Sequence, residues 1–483
     1  MLPENPLEVP EIIGLVASYL KGKHLARCVQ VSKGWRDLFL PYRWRTIRVG
    51  AKPTNYSHAS RLLLGPRPKD IYSHRHLIHY LWISGKTNGL DKHHFPNLRK
   101  LTLKTDKVPQ KLAKIFPSLV ELFLIGPNMA SNSWLAVMAH PSMTELTLCT
   151  QVIKAIDAPS FWAVCGRLDI LSLSMITFGT GTIPALAGTV FDRLRRLEFE
   201  DQGNSDTSNQ QELILRCPNL EELRWMDIIS EFNNEHLTLD TERIREGHWH
   251  RLQELIIWQH FQDTQVASIL NGSGVGSLTS LTLKDCHLEE QGSKALRPHF
   301  AALVYLEMQF CRSLSSSTIQ DILCSCPRLE YLAAKGVFAR DIVNGGPWVC
   351  QRLKELRIGF LFTESEQDLQ REIFGRLSAL TRLERMIMHI PEDESYDEED
   401  ILEFRMGNGL EQLATLRQMT SLIFERVSKN GSYVPQMGKD EVVWMLANWK
   451  KLKTLVGNLS YDSDEDMKLK LVLSLLDVRT EVW

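Results

Sequence analysis

Residues 217–225 read CPNLEELRW. In an extended segment Leu223 and Trp225 point to one side, and Glu222 and Arg224 point to the other. The frame apolar-x-x-Leu-x-apolar recurs on both sides of this stretch. Upstream stand FPNLRKLTL at 95, FPSLVELFL at 116, HPSMTELTL at 140, CGRLDILSL at 165 and FDRLRRLEF at 191. Downstream stand WHRLQELII at 249, VGSLTSLTL at 275, FAALVYLEM at 300, CPRLEYLAA at 326, CQRLKELRI at 350 and LTRLERMIM at 380. Weaker copies are RHLIHYLWI at 75, LRQMTSLIF at 416 and WKKLKTLVG at 449.

The central copies follow one another at about 26 residues, inside the leucine-rich-repeat range of roughly 20–29. Each repeat supplies one short strand, and the remaining residues return the chain. SNQQELILRC (208–217) and SSSTIQDILCSC (315–326) have helical apolar spacing between strands, and Ser316 or Ser317 is positioned to cap the second. The expected fold is therefore α/β: a solenoid, or horseshoe, over 75–460 with a concave parallel sheet and outer helices. The last intervals are longer, so the C-terminal repeats carry insertions. One of these holds the acidic run EDESYDEED (392–400). Residues 461–483 form an acidic segment and a cap, in which MKLKLVLSLLDV (467–478) fits either a strand or a helix.

Cys286 and Cys311 follow their strands by a fixed interval, and Cys165, Cys217, Cys326 and Cys350 precede the first leucine by another. In this the chain resembles the cysteine-containing subtype of leucine-rich repeats. These cysteines read as small buried groups at repeat corners. Cys324-Ser-Cys326 lacks the second pair that a zinc knuckle needs.

The chain has 483 residues, 43% hydrophobic and 24% charged, with net charge −2. That composition is globular, and the charge gives no chain-wide field for nucleic acid. Nine cysteines, an odd number, suit free thiols in a reducing compartment, so the cytoplasm or nucleus is expected. The start has no basic, then apolar, leader pattern, and no run is long enough to span a membrane.

Upstream of the repeats the pattern changes. Pro10 suits a first helical turn, and Ile12, Leu15, Val16, Tyr19 and Leu20 follow at helical spacing. Leu25, Cys28 and Val29 begin a second helix. Ser32 caps a third carrying Trp35, Leu38 and Phe39, with Pro41 expected to end it. Residues 1–47 thus form a short three-helix module, and 48–74 connect it to the repeats. A unit this small needs cover for part of its apolar surface.

This stretch resembles the F-box. Glu11-Ile12, Val16, Tyr19-Leu20, Leu25, Val31-Ser32-Lys33-Gly34-Trp35, Leu38 and Trp44 fall at the family's intervals. It departs from the pattern at Glu8-Val9-Pro10, where Leu7 stands early for the usual Leu-Pro, and at His24 and Arg43. The resemblance implies docking on a Skp-type adaptor, and through it a cullin–RING ubiquitin ligase, with the repeats binding the target. Leu7, Pro10, Ile12, Val16, Leu20, Val31, Trp35, Leu38 and Phe39 are the adaptor-side candidates. Among them Trp35 is expected in the core, and Leu38 and Phe39 toward the adaptor. Trp44 is expected to seal the seam to the repeats.

The target-side candidates are outward strand positions: Phe123, Arg224, Trp258, Tyr305, Glu307, Tyr331 and Arg357, with Lys284 and Lys335 beside them. NGSGVG (271–276) precedes a strand, so it reads as a return turn rather than a phosphate loop. His74, His76 and His79, and His93 with His94, lack a matching acid or cysteine set for a metal. Ser395 and Ser463 each have an acid three residues on and are candidates for phosphorylation. No catalytic motif stands out, and no cofactor is implied. Two readings follow: a non-catalytic substrate receptor of an SCF-type ligase, or a repeat scaffold whose F-box no longer docks.

Overall fold

The computed structural model describes residues 9–49, 68–85, 92–105, 108–126, 131–179, 182, 188–200, 207–226, 243–244, 248–390, 402–426, 437–457 and 463–480. Leu7, the acidic run 392–400 and Ser395 lie outside these residues. The chain divides into two compact units, Met1–Asn219 and Leu220–Trp483.

The first unit opens with α1 (Pro10–Tyr19), α2 (Gly22–Val31) and α3 (Lys33–Trp44). Its strands are β1 (Thr46–Val49), β2 (Tyr80–Ser84), β3 (Lys100–Lys104), β4 (Glu121–Ile125), β5 (Glu145–Ile153), β6 (Ile170–Phe178) and β7 (Arg196–Glu200). Each pairs in parallel with its neighbour in sequence. The helices α4 (Pro68–Ser73), α5 (Leu112–Ile115), α6 (Ser131–Met138), α7 (Ala158–Cys165) and α8 (Thr207–Ile214) complete it.

The second unit carries β8 (Glu222–Met226), β9 (Glu254–Trp258), β10 (Ser280–Lys284), β11 (Tyr305–Glu307), β12 (Tyr331–Phe338), β13 (Glu355–Leu361), β14 (Arg385–Ile390), β15 (Ser421–Arg426) and β16 (Thr454–Val456). These also form one parallel ladder in chain order. Its helices are α9 (Asp263–Gly272), α10 (Glu290–Leu296), α11 (Ser316–Ser325), α12 (Ala339–Asn344), α13 (Gln370–Ser378), α14 (Lys439–Asn448) and α15 (Ser463–Leu475). Both units are thus built as parallel, helix-decorated leucine-rich-repeat ladders.

The repeat frame explains the ladder. Leu281, Leu283, Leu306 and Leu332 are fully buried, while outward residues such as Ser280, Lys284, Tyr305 and Tyr331 stay partly exposed. The opening residue of most blocks is a buried corner, while Arg75 and Val275 are exposed. Phe116, Cys165, Trp249 and Cys350 each accept the N–H of the first leucine through their carbonyls, at 3.0–3.2 Å. Phe, His, Cys and Trp all occupy this corner, so the requirement is an apolar body with a free carbonyl. The cysteines are there as small buried side chains, and all nine are unpaired.

NGSGVG closes the return from α9, and its glycines answer to packing. A Cβ on Gly274 would stand 2.9 Å from the backbone of His250, and Gly276 has φ +70°. A cap crosses between repeats here. Asp263 of α9 accepts N–H groups from Glu289 and Gly292 through Oδ1 (2.7 and 2.8 Å), and from Gln291 through Oδ2 (2.9 Å). The start of α10 has no side-chain cap of its own at Glu289. The cap of α11 is Ser315, which accepts the Thr318 N–H, rather than Ser316 or Ser317. Ser316 is turned away and accepts the Phe338 N–H at 2.8 Å.

The helical module differs from expectation in three ways. First, α3 runs through Pro41 to Trp44. Proline removes one helical N–H, and the helix continues past that gap because neighbouring turns hold it. Trp44 is therefore the last helical residue. It is buried and stacks on His74, ring centroids 4.3 Å apart at 5°. Second, Phe39 is 1% exposed and sits in the core with Ile13, Ala17 and Leu25. Trp35 and Leu38 pack against that core from its edge. Third, α1 buries Ile13 and Ala17, so the stripe of Ile12, Leu15, Val16 and Tyr19 faces outward. The ladder also starts before the repeat blocks, since β1 lies directly after α3 and pairs with β2. At the other end 467–478 is mostly helix. Beyond α15, Arg479 bridges to Thr454 of β16, and Val478 is buried.

Candidate functional site

The outward residues of β8–β16 stand in rows, because parallel strands in register place equivalent positions side by side. On β9–β14 the rows merge into one side-chain network. Lys284 lies over the Trp258 ring at 5.2 Å and pairs with Glu307 at 2.9 Å. The Trp258 indole N–H donates to Asp285 Oδ2 at 2.7 Å. The Tyr305 hydroxyl donates to Glu307 Oε2 at 2.8 Å. Tyr305 and Tyr331 stack at 4.1 Å and 7°, and the Arg357 guanidinium covers Tyr331 at 5.7 Å. Arg357 in turn donates to Glu355, which also accepts from Arg385 at 3.0 Å.

The electrostatics follow from this crowding. Burial, with the hydrogen bond to Glu307 and the adjacent Tyr331, pushes the Tyr305 phenol well up from its ordinary value. Burial also raises Tyr331. Both phenols are therefore neutral at physiological pH. Phe310 stands beside the network, 52% exposed, with Lys284 Nζ 5.9 Å from its ring. The face offers aromatic surface, paired charges and little loose side chain, the composition favoured at protein interfaces.

Trp258, Lys284, Tyr305, Glu307, Tyr331 and Arg357 come together in this network. Arg224 belongs to the same unit on β8 and pairs with Glu254 at 2.8 Å. Lys335 is exposed at the irregularity in β12. Phe123 lies in the first unit, half-buried on β4 between Thr102 and Thr147. Sequence reasoning missed Asp285, Phe310, Glu355 and Arg385. Glu355 and Arg385 occupy outward positions that the frame already marks. Asp285 and Phe310 fall just past their strands, where the frame gives no direction.

On the helical module, the described adaptor-side candidates separate by exposure. Ile12, Val16 and Val31 are exposed, at 38%, 37% and 63%. Pro10 is exposed at the first turn of α1, and Leu20 is partly buried at its end. Leu15 and Tyr19, at 60% and 81%, extend the exposed stripe. His93 stacks on Tyr72 rather than joining the other histidines. Among the described residues no group of three or more His, Cys, Asp or Glu is placed to hold a metal ion, and no helix is long and apolar enough to cross a membrane.

No protein-family model matches the chain, and no curated protein does. Among solved structures, a leucine-rich-repeat protein of Leptospira interrogans is similar, with 14% identity and a TM-score of 0.49, covering 86% of this chain and 92% of that one. An internalin of Listeria monocytogenes is similar at 14% identity and a TM-score of 0.30, covering 73% of this chain and 72% of that one.

Proposed function

We propose that the chain is a non-catalytic binding protein that holds a partner protein on the outward face of β9–β14. The observation that carries this reading is the continuous network from Trp258 to Arg385. Its side chains are mutually fixed, so little freedom is lost when a partner covers them. The test is affinity capture with the wild type and with a Trp258→Ala, Tyr331→Ala variant. A partner retained by the wild type and lost from the variant supports the reading. An unchanged set of partners refutes it.

A second reading rests on the exposed stripe of α1. A small helical module that leaves Leu15 and Tyr19 in water has a surface suited to a partner. Together with the F-box intervals, this supports a substrate receptor of an SCF-type ubiquitin ligase, docking a Skp-type adaptor and acting in the cytoplasm or nucleus. Purified adaptor mixed with the wild type should co-elute in size exclusion, and a Leu15→Asp variant should not. If the wild type and adaptor elute separately, the chain is a scaffold without a ligase role.

A further inference from the structure

We infer that the edge where the chain enters β12–β16 docks an acidic, extended polypeptide segment of a partner protein. The residues just before these strands are strongly biased in charge. Arg328, Arg352, Lys354, Arg382, Arg417, Lys450, Lys451 and Lys453 are all exposed there. The ladder places the strand entries that carry them side by side. The backbone N–H of Lys354 bonds to the Glu330 carbonyl, that of Glu384 to Lys354, that of Thr420 to Glu384, and that of Lys453 to Thr420. The same positions ahead of β10 and β11 are Ser277, Thr279, Ala302 and Val304, so the basic run of the second unit begins at β12, although Arg251 stands ahead of β9, and Arg193 and Arg195 stand ahead of β7 in the first unit.

The counter-charges on this edge are few. Lys354 pairs with Glu330 at 2.6 Å. The Glu330 carboxyl is held below its ordinary value, first by that hydrogen bond and then by the charges of Lys354, Arg352 and Arg382. Two arginines thus converge on one exposed acid that already has a partner. Arg328, Arg417, Lys450 and Lys453 make no ion pair among the described residues. In a chain of net charge −2, this edge is a positive field that the rest of the molecule offsets.

Strand spacing sets the size of the ligand. Five adjacent strands span about 19 Å, which an extended peptide covers with about six residues. A peptide fits better than a nucleic acid strand. Glu330 and Glu384 interrupt the edge, and a peptide can set uncharged residues opposite them, whereas a phosphate backbone carries a charge at every unit. Single strands also bind by stacking bases on free aromatic faces. The neighbouring Tyr305 and Tyr331 face each other, and Arg357 covers the far side of Tyr331.

The experiment measures fluorescence anisotropy of a labelled oligoglutamate peptide with the full chain. Binding should weaken about tenfold between roughly 50 and 300 mM salt, because exposed charges are screened. An Arg352→Glu, Arg382→Glu, Lys451→Glu variant should lose at least about tenfold in affinity. A Lys104→Glu, Lys111→Glu, Lys114→Glu variant makes the same change in net charge on the first unit and should bind as the wild type does. The glutamine versions of the three edge residues repeat the test should the reversed charges disturb folding. Absence of wild-type binding, equal loss in both triple variants, or tighter binding of oligouridylate overturns the inference. The Trp258→Ala, Tyr331→Ala variant separates this edge from the outward face. It should keep oligoglutamate binding, and a loss there would move the peptide onto that face.

Discussion

Replacing Phe39 by alanine should unlock the helical module while leaving both repeat ladders intact. The ring is 1% exposed and packs with Ile13, Ala17 and Leu25, and Trp35 stands 5.3 Å away centroid to centroid. Phe→Ala at such a site costs about 3–5 kcal/mol, part lost transfer energy and part cavity. Through the factor of ten per about 1.4 kcal/mol, that is a gain of roughly two to four decades in the open population. Native-state hydrogen exchange read by mass spectrometry reports it, because local opening sets the exchange of slow amides. Peptides from α1–α3 should speed up by that factor, or until the module is fully open. Peptides from β9–β13 should not change. Tyr19→Ala, on the same module but 81% exposed, should shift stability by less than about 0.5 kcal/mol. Unchanged protection of α1–α3 in Phe39→Ala, or equal loss in Tyr19→Ala, would show that the module is held some other way.

Other consequences are open to direct measurement. His140 is fully buried and donates from Nε2 to the Phe116 carbonyl at 2.8 Å, and burial lowers its pKa from 6.5. The unfolded chain therefore takes up the proton first: stability is complete above about pH 6.5 and falls as pH drops toward the lower folded value. Urea midpoints of His140→Phe should depend less on pH than those of the wild type, with further slope from His299 and His79, whose pKa values burial also lowers. Gly274→Ala should cost about 1–3 kcal/mol, because the added Cβ meets fixed backbone, and an unchanged urea midpoint would count against the turn geometry. Burial pushes the thiols of Cys286, Cys326 and Cys350 up to about 12. Brief treatment with N-ethylmaleimide at neutral pH should leave them unmodified in native protein and label them after unfolding, as read by peptide mass spectrometry.

The ladder was legible because its frame repeats. Leu-x-Leu fixes which side of a strand is buried, so Trp258, Tyr305, Tyr331 and Arg357 could be assigned outward before any coordinates. The pairings among them could not, since Asp285 and Phe310 lie beyond the frame and reach the network only through the chain's turns. The helical module was legible in element order and less so in orientation. Its stripe of Ile12, Leu15, Val16 and Tyr19 has the spacing of a buried face, yet Ile13 and Ala17 are turned inward. A small residue such as Ala17 permits the closer approach of α3, which is also why Phe39 fits beneath it. Pro41 misled for a related reason: one absent N–H is a local loss, whereas the helix is held by tertiary packing on both sides of it. The corner cysteines Cys165, Cys217, Cys326 and Cys350 are buried as their apolar character implies, whereas Phe116 and Trp249 show that the corner does not demand a small side chain.

Asp263 has a consequence for how the second unit assembles. The costly step in making a helix is fixing its first turn. For α10 that turn is held by three bonds to a carboxylate belonging to the previous repeat. Nucleation of α10 is thus conditional on α9 being in place, while α9 owes nothing comparable to α10. The dependence gives this part of the array a direction, from the earlier repeat to the later one, and a refolding chain should acquire its protected amides in that order.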